Sequence, residues 1–191
     1  MGISKEQIIE VASLLFQERG YHATSIQDIA ERLGVTKAAL YYYIKNKELT
    51  LYEIHNKAMQ TIETRMQEVL KRNEGPKEKL AAIIFMHIQA LVDESPIITV
   101  FFNERNHLLP EHLEVINKRR RQYEENTAKV IYEGIEAGVF KKDIDAMLAT
   151  YAVIGMCNWL YQWYNPAGRL KPQEIAGLYS KIVLHGLLLQ S

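Results

Sequence analysis

The chain has 191 residues, a formal net charge of +0 and 48% hydrophobic residues. That is enough apolar material for a packed core, which excludes a disordered chain, and it leaves no bulk attraction for nucleic acid, so any DNA-binding face must be local. The single cysteine, Cys157, excludes an internal disulfide and a Cys-based zinc site.

The start, MGISKE, carries no signal-peptide hydrophobic region, and Glu6 stands where a myristoylation motif wants Ser or Thr. An intracellular, reducing location is expected. Ser4 followed by Gln7 reads as a capping box, with Ile3 and Ile8 placed for a hydrophobic staple. Ile8, Ala12, Leu15 and Phe16 form one apolar stripe, which Gly20 ends. Ser25 and Asp28 open a second helix whose inner face is Ile26, Ile29, Ala30 and Leu33, an i, i+3, i+4, i+7 series. Gly34 breaks the chain, Thr36 is an N-cap for a third helix, and Val35 can staple to Leu40. Asn46 caps a longer helix to about Lys71. Helices then run from Gly75-Pro76 to about Glu94, from Ser95-Pro96, from Pro110 to near Gly138, from Asp145 to about Trp163, and from Pro172 to about Leu189. The expectation is an all-α fold of about nine helices, with no strand and no repeat.

Ser25 to Ile44 supply the parts of a helix-turn-helix: two short helices, a tight glycine turn, and a second helix with an open N-terminal half. With Leu40 and Ile44 facing inward, Lys37, Ala38, Ala39, Tyr41 and Tyr42 are left outward or along the edge. Alanines let the backbone approach base edges, lysine reaches a base or phosphate, and tyrosine hydroxyls donate to phosphate oxygens. Thr36 suits a phosphate as well. From Thr36 to Lys47 there are three positive charges, Lys37, Lys45 and Lys47, and no negative one. The plainer reading, packing aromatics beside a solvated lysine edge, accounts for one tyrosine more easily than for Tyr41, Tyr42 and Tyr43 together.

No charge appears between Ala146 and Gly168. A membrane span is one reading, but Thr150, Asn158, Gln162 and Asn165 interrupt the run. A helix buried against its own core and a second subunit fits better. In the last helix Ile175, Leu178, Tyr179 and Ile182 line one face, and Ala176, Gly177, Ser180, Leu184 and Leu187 leave the other small or apolar. A monomer would expose too much of that surface, so a homodimer through the last two helices is expected, with no membrane partner. Two clusters suit a ligand. Asn158, Trp159, Gln162 and Trp163 can line an apolar pocket and orient a polar head group, or simply pack. Lys118, Arg119, Arg120 and Arg121 can hold phosphates, or form a solvated face paired with Glu124 and Glu125.

ATSIQDIAERLGVTKAALYYYIKNKELTLYEI resembles the DNA-binding domain of the TetR family of bacterial transcriptional regulators, over about residues 4 to 52. The resemblance implies an all-helical dimer, with a helix-turn-helix domain at 1–50 and a ligand-binding and dimerisation domain at 51–191. It implies Thr36, Lys37, Ala38, Ala39, Tyr41, Tyr42 and Lys47 as the DNA-contacting set on a double-stranded operator, in a bacterial cytoplasmic, nucleoid-associated protein. Tyr43 stands where many relatives have His. FFNERNHLLPEHLEVINKRRRQYEE and GMCNWLYQWYNPAGRLKPQEIA are similar to the C-terminal domains of the FadR and KstR2-like regulators of fatty-acid degradation. That similarity implies no cofactor but a small-molecule effector, a fatty acyl-CoA, that releases the protein from DNA. Asn103, Arg105, Arg120, Arg121, Asn158, Trp159 and Trp163 are its candidate contacts. The alternatives are a TetR-type repressor answering a drug or aromatic compound, a small helical enzyme acting on CoA esters, and a ligand-independent DNA-architectural protein. The six histidines are scattered and no Ser or Cys sits in a nucleophile-elbow pattern. His107 and His112, near Glu104 and Glu111, match no standard metal-ligand spacing.

Overall fold

The computed structural model describes residues 3–188. Met1, Gly2 and Leu189, which the sequence reading used, lie outside the described residues. In chain order the helices are α1 (Lys5–Arg19), α2 (Ile26–Leu33), α3 (Lys37–Tyr43), α4 (Lys47–Leu70), α5 (Pro76–Asp93), α6 (Ser95–Asn103), α7 (Pro110–Glu136), α8 (Ala146–Asn158), α9 (Leu160–Trp163) and α10 (Pro172–Leu187), with a 3-10 turn at Arg105–His107. Counting α8 and α9 as one helix interrupted at Trp159 gives nine, and the described residues hold no strand beyond one isolated bridge, Phe140 to Leu188. No single described helix is long and apolar enough to cross a membrane.

The helix ends are where the caps put them. Ser4 and Ser25 both form complete capping boxes, Thr36 Oγ1 accepts from the Ala39 amide at 3.1 Å, Asn46 Oδ1 accepts from the Leu49 amide at 2.7 Å, and Asp145 Oδ1 accepts from the Leu148 amide at 2.8 Å. Gly34 takes φ +68 at the end of α2, the left-handed conformation that lets the chain turn straight into α3.

The chain divides into two compact units. The first comprises Met1–Gln60 and Glu94–Asn117. Its core joins Ile8, Ala12, Leu15 and Phe16 of α1 to Ile29 and Ala30 of α2, Leu40 of α3, Leu51 and Ile54 of α4, and Ile97, Val100 and Phe101 of α6, all buried. The second comprises Thr61–Asp93 and Lys118–Ser191. Its core gathers Met66 and Val69 of α4, Leu80, Ile83 and Met86 of α5, Tyr123, Val130 and Ile131 of α7, and Phe140 and Leu187. Phe140 lies so close to Gly134 that a Cβ there would stand 2.2 Å from its ring, so the bend after α7 needs glycine at that point.

The two faces of α10 divide differently from the sequence reading. Ile175, Ala176 and Leu187 turn inward, while Leu178 and Ile182 are 56% and 55% exposed. Apolar residues all round a helix leave its rotation undetermined, and packing onto α5 fixes it.

Candidate functional site

The DNA-reading candidates form a continuous exposed surface on α3. Leu40 and Ile44 anchor the helix in the core, and the N-cap at Thr36 fixes its start. Thr36, Lys37, Ala38, Ala39, Tyr41 and Tyr42 are all exposed, Tyr42 at 87%. Lys37 leans over the Tyr41 ring, its Nζ 5.9 Å from the centroid, and Tyr42 and Tyr43 meet edge-on at 5.2 Å. The face is therefore small in its first turn, aromatic in its second, and cationic along one edge.

Lys47 departs from the expected outward pose. Its ammonium donates to the carbonyls of Tyr21 and Thr24, each at 2.9 Å, and sits 4.3 Å from the Tyr21 ring centroid. Burial pulls its pKa below the ordinary lysine value, with Glu104 acting in the opposite direction. Two of its three N–H donors are thus spent on holding the turn between α1 and α2. The same turn is held elsewhere: Glu104 Oε1 accepts from the Tyr21 amide at 3.1 Å, and His22 and His107 share a ring-nitrogen contact of 3.1 Å. The opening of α4 is tied as well, since Glu48 Oε1 accepts from His112 Nδ1 at 2.8 Å and from the Leu109 amide at 3.0 Å. Four side chains that drew no DNA-binding assignment, Glu48, Glu104, His107 and His112, so brace the DNA-reading helices. Sequence spacing carried no signal for them, because each acts on a residue more than sixty positions away.

The ligand candidates are dispersed. Within the first unit Asn103 is exposed, and Arg105 donates to Asn117 Oδ1. Within the second, Arg121 is exposed, Arg120 pairs with Glu124 at 3.6 Å, and Trp159 and Trp163 are exposed, Trp159 at 64%. The strongest ion pair of the basic run belongs to Arg119, whose Nε and Nη2 grip the two oxygens of Glu63 at 2.8 and 2.6 Å. Asn158 points inward, where its Oδ1 accepts from His87 Nε2 at 2.9 Å. None of the seven lines any of three clefts among the described residues: one of about 290 Å³ between α4 and α7, one of about 270 Å³ in the first unit, and one of about 410 Å³ between α5 and α10.

The inward turn of Asn158 exposes what sequence reading missed. His87, on α5, donates to Asn158 through Nε2–H and accepts the Tyr123 hydroxyl proton at Nδ1, at 2.7 Å. Burial lowers the His87 pKa from 6.5 to about 4, so the ring is neutral with one N–H, which the facing Asn158 Oδ1 assigns to Nε2. Burial likewise raises the Tyr123 hydroxyl, and it pushes the neighbouring Cys157 thiol up to about 12. A signal was present: His87 falls in the Leu80, Ile83, Ile84, Leu91 stripe, and Tyr123 lies seven residues from Ile116 on the inner face of α7.

Among the described residues no group of three or more His, Cys, Asp or Glu could hold a metal ion. The family profile described as "Bacterial regulatory proteins, tetR family" matches residues 8–49, and that described as "Tetracyclin repressor-like, C-terminal domain" matches residues 73–187. The chain is 32% identical to the fatty acid metabolism regulator protein of Bacillus subtilis over 149 residues, covering 78% of this chain and 77% of the relative. It is 26% identical to the transcriptional repressor KstR2 of Mycolicibacterium smegmatis over 186 residues, covering 96% and 90%. The crystal structure of AibR in complex with isovaleryl coenzyme A and operator DNA superposes with a TM-score of 0.84 at 29% identity, covering 93% and 96%. With both halves matched and the reading helix built as described, this chain belongs to the TetR family of bacterial transcriptional regulators.

Proposed function

We propose that the protein is a dimeric repressor that binds a palindromic operator through α3 and leaves it when a fatty acyl-CoA occupies the region 51–191, controlling genes of fatty-acid degradation. The observation that carries the DNA half is the α3 face: Thr36, Lys37, Ala38, Ala39, Tyr41 and Tyr42 exposed together on a helix anchored by the buried Leu40. Lys47 serves this reading as a strut for the α1–α2 turn with one donor left for a phosphate. The acyl-CoA half is supported by the relative named for fatty acid metabolism and by AibR, whose structure holds isovaleryl coenzyme A and operator DNA.

A two-fold dimer sets its reading helices about 34 Å apart, one turn of DNA. The surface that suits such a dimer runs along Leu148 and Tyr151 of α8, Trp159 just after it, and Leu178 and Ile182 of α10, all exposed, with Leu148 at 69%. Leu148 and Tyr151 are three residues apart and Leu178 and Ile182 four, so each pair lies on one face of its helix as exposed apolar surface. Release requires the effector to prefer the non-binding conformation strongly. Moving a two-state equilibrium from 1:99 to 99:1 takes about 5.5 kcal/mol of differential binding.

The test is to titrate long-chain acyl-CoA, free fatty acid and CoA alone into the protein bound to its own promoter DNA. Release by acyl-CoA only, at micromolar concentration, is the expected result. Stable DNA binding that ignores acyl-CoA discards this effector and favours a different apolar ligand. Turnover of the thioester would instead move the protein to the enzymes.

A further inference from the structure

A hydrogen-bonded chain of polar side chains crosses the apolar core of the second unit and caps no helix end. Tyr123 of α7 donates its hydroxyl to His87 Nδ1, and His87 of α5 donates Nε2–H to Asn158 Oδ1 at the last residue of α8. His87 and Tyr123 are buried among Met86, Ile83, Val130 and Ile131. Such a chain is a costly thing to build into a core, and apolar side chains of the same shape would serve stability as well. It holds one neutral N–H donor, aimed at one neutral carbonyl oxygen.

The two ends of the chain differ. His87 and Tyr123 are fixed inside long helices, whereas Asn158 is half-buried and stands directly before the interruption at Trp159. Its carboxamide is the member that can leave. What acts on the protonation of His87 is its burial and Asn158, and on Tyr123 its burial, Cys157 and Thr127; no cation is among them. A carboxylate brought to this donor would lack a counter-charge, while a neutral carbonyl would match what Asn158 already supplies.

Resting on the acyl-CoA reading above, the geometry points to His87 Nε2–H as the carbonyl-recognition donor of the effector site, held by Asn158 in the free protein and taken over by the neutral carbonyl of an acyl thioester. The exchange is isosteric: one sp² oxygen replaces another on the same N–H. Asn158, once displaced, turns away with the Trp159–Trp163 segment, so occupancy of the donor is converted into a movement of the α8–α9 junction. The same donor is expected to favour a thioester over the corresponding free acid.

Both tryptophans of the chain, Trp159 and Trp163, lie in that segment, so intrinsic fluorescence reports on it alone. The measurement compares a long-chain acyl-CoA with the S-alkyl-CoA thioether of equal length, which lacks only the carbonyl. In the wild-type protein the thioether is expected to bind about tenfold more weakly, the worth of one hydrogen bond. His87→Leu is expected to abolish that discrimination, with helicity by circular dichroism checking the fold. Asn158→Ala, with nothing left to displace, is expected to bind acyl-CoA several-fold more tightly. Equal wild-type affinity for thioester and thioether overturns the proposal and leaves the acyl-CoA reading standing. Failure of both compounds to bind or release the wild-type protein overturns both readings. The first comparison needs no variant, so misfolding cannot blur it.

Discussion

The α3 face and the α8–α10 region arrange polar and apolar groups in opposite ways. On α3 the apolar anchors Leu40 and Ile44 are buried and everything polar or aromatic is outside. In the second unit the polar groups His87, Tyr123, Thr127 and Thr150 are buried, and Leu148, Tyr151, Trp159, Leu178 and Ile182 are outside. The first pattern suits a rigid reader, whose chemistry must be displayed in fixed order to a polar partner. The second suits a region that gains stability from a second copy and keeps its specific hydrogen bonds for something that enters. The difference teaches that exposure carries opposite meanings in the two places: an exposed tyrosine on α3 suits the proposed DNA contact, and an exposed leucine on α10 suits the proposed dimer seam.

That contrast can be broken at the seam. Replacing both Leu178 and Ile182 with Glu places carboxylates where the dimer would bury them, at a cost of several kcal/mol. Sedimentation is expected to show monomers of unchanged helicity, with operator affinity down by about 100-fold or more. A variant that still dimerises puts the interface elsewhere.

Acid sharpens the same contrast from inside. His87 in the second unit and His55 in the first are both held by burial at a pKa of about 4 against an ordinary 6.5. Each binds its proton more readily when unfolded, so its stabilisation is complete above pH 6.5 and is lost as the pH falls through 4. Full loss amounts to about 3 kcal/mol per histidine. Denaturation midpoints measured between pH 7 and pH 4 are expected to fall accordingly, and His87→Leu to remove about half of the slope. A midpoint that stays flat over this range would show that neither ring is buried neutral.

The smallest effect is on the reading face itself. Lys37→Ala is expected to cost about 1 kcal/mol of operator affinity and to reduce the slope of log affinity against log salt by about 1. Because Lys37 is exposed and makes no ion pair, thermal melting of the free protein is expected to stay put. A shifted melting temperature would assign Lys37 a structural role instead.

Local chemistry in the sequence was sufficient for the helices and for the reader. Ser4, Ser25, Thr36, Asn46 and Asp145 cap the helices they precede, because a cap acts within three residues and depends on nothing remote. The i, i+3, i+4 stripe of α2 and the pairing of Leu40 with Ile44 on α3 determine which side of the helix-turn-helix is buried, and thereby the outward set Lys37, Ala38, Ala39, Tyr41 and Tyr42. Lys47 is the exception on that face: its charge is legible, but its partners are the carbonyls of Tyr21 and Thr24, some two dozen positions upstream. Only the tertiary structure decided such long-range matters. It rotated α10 so that Ile175 and Ala176 faced inward and Leu178 and Ile182 outward, interrupted the charge-free helix at Trp159, and spent Arg119 on Glu63. It also joined His87, Tyr123 and Asn158, which lie on three different helices, into one hydrogen-bonded chain. The physical reason is reach. Caps and periodicity are settled by neighbours along the chain, whereas the partner of a buried donor is whichever acceptor the packing brings to it.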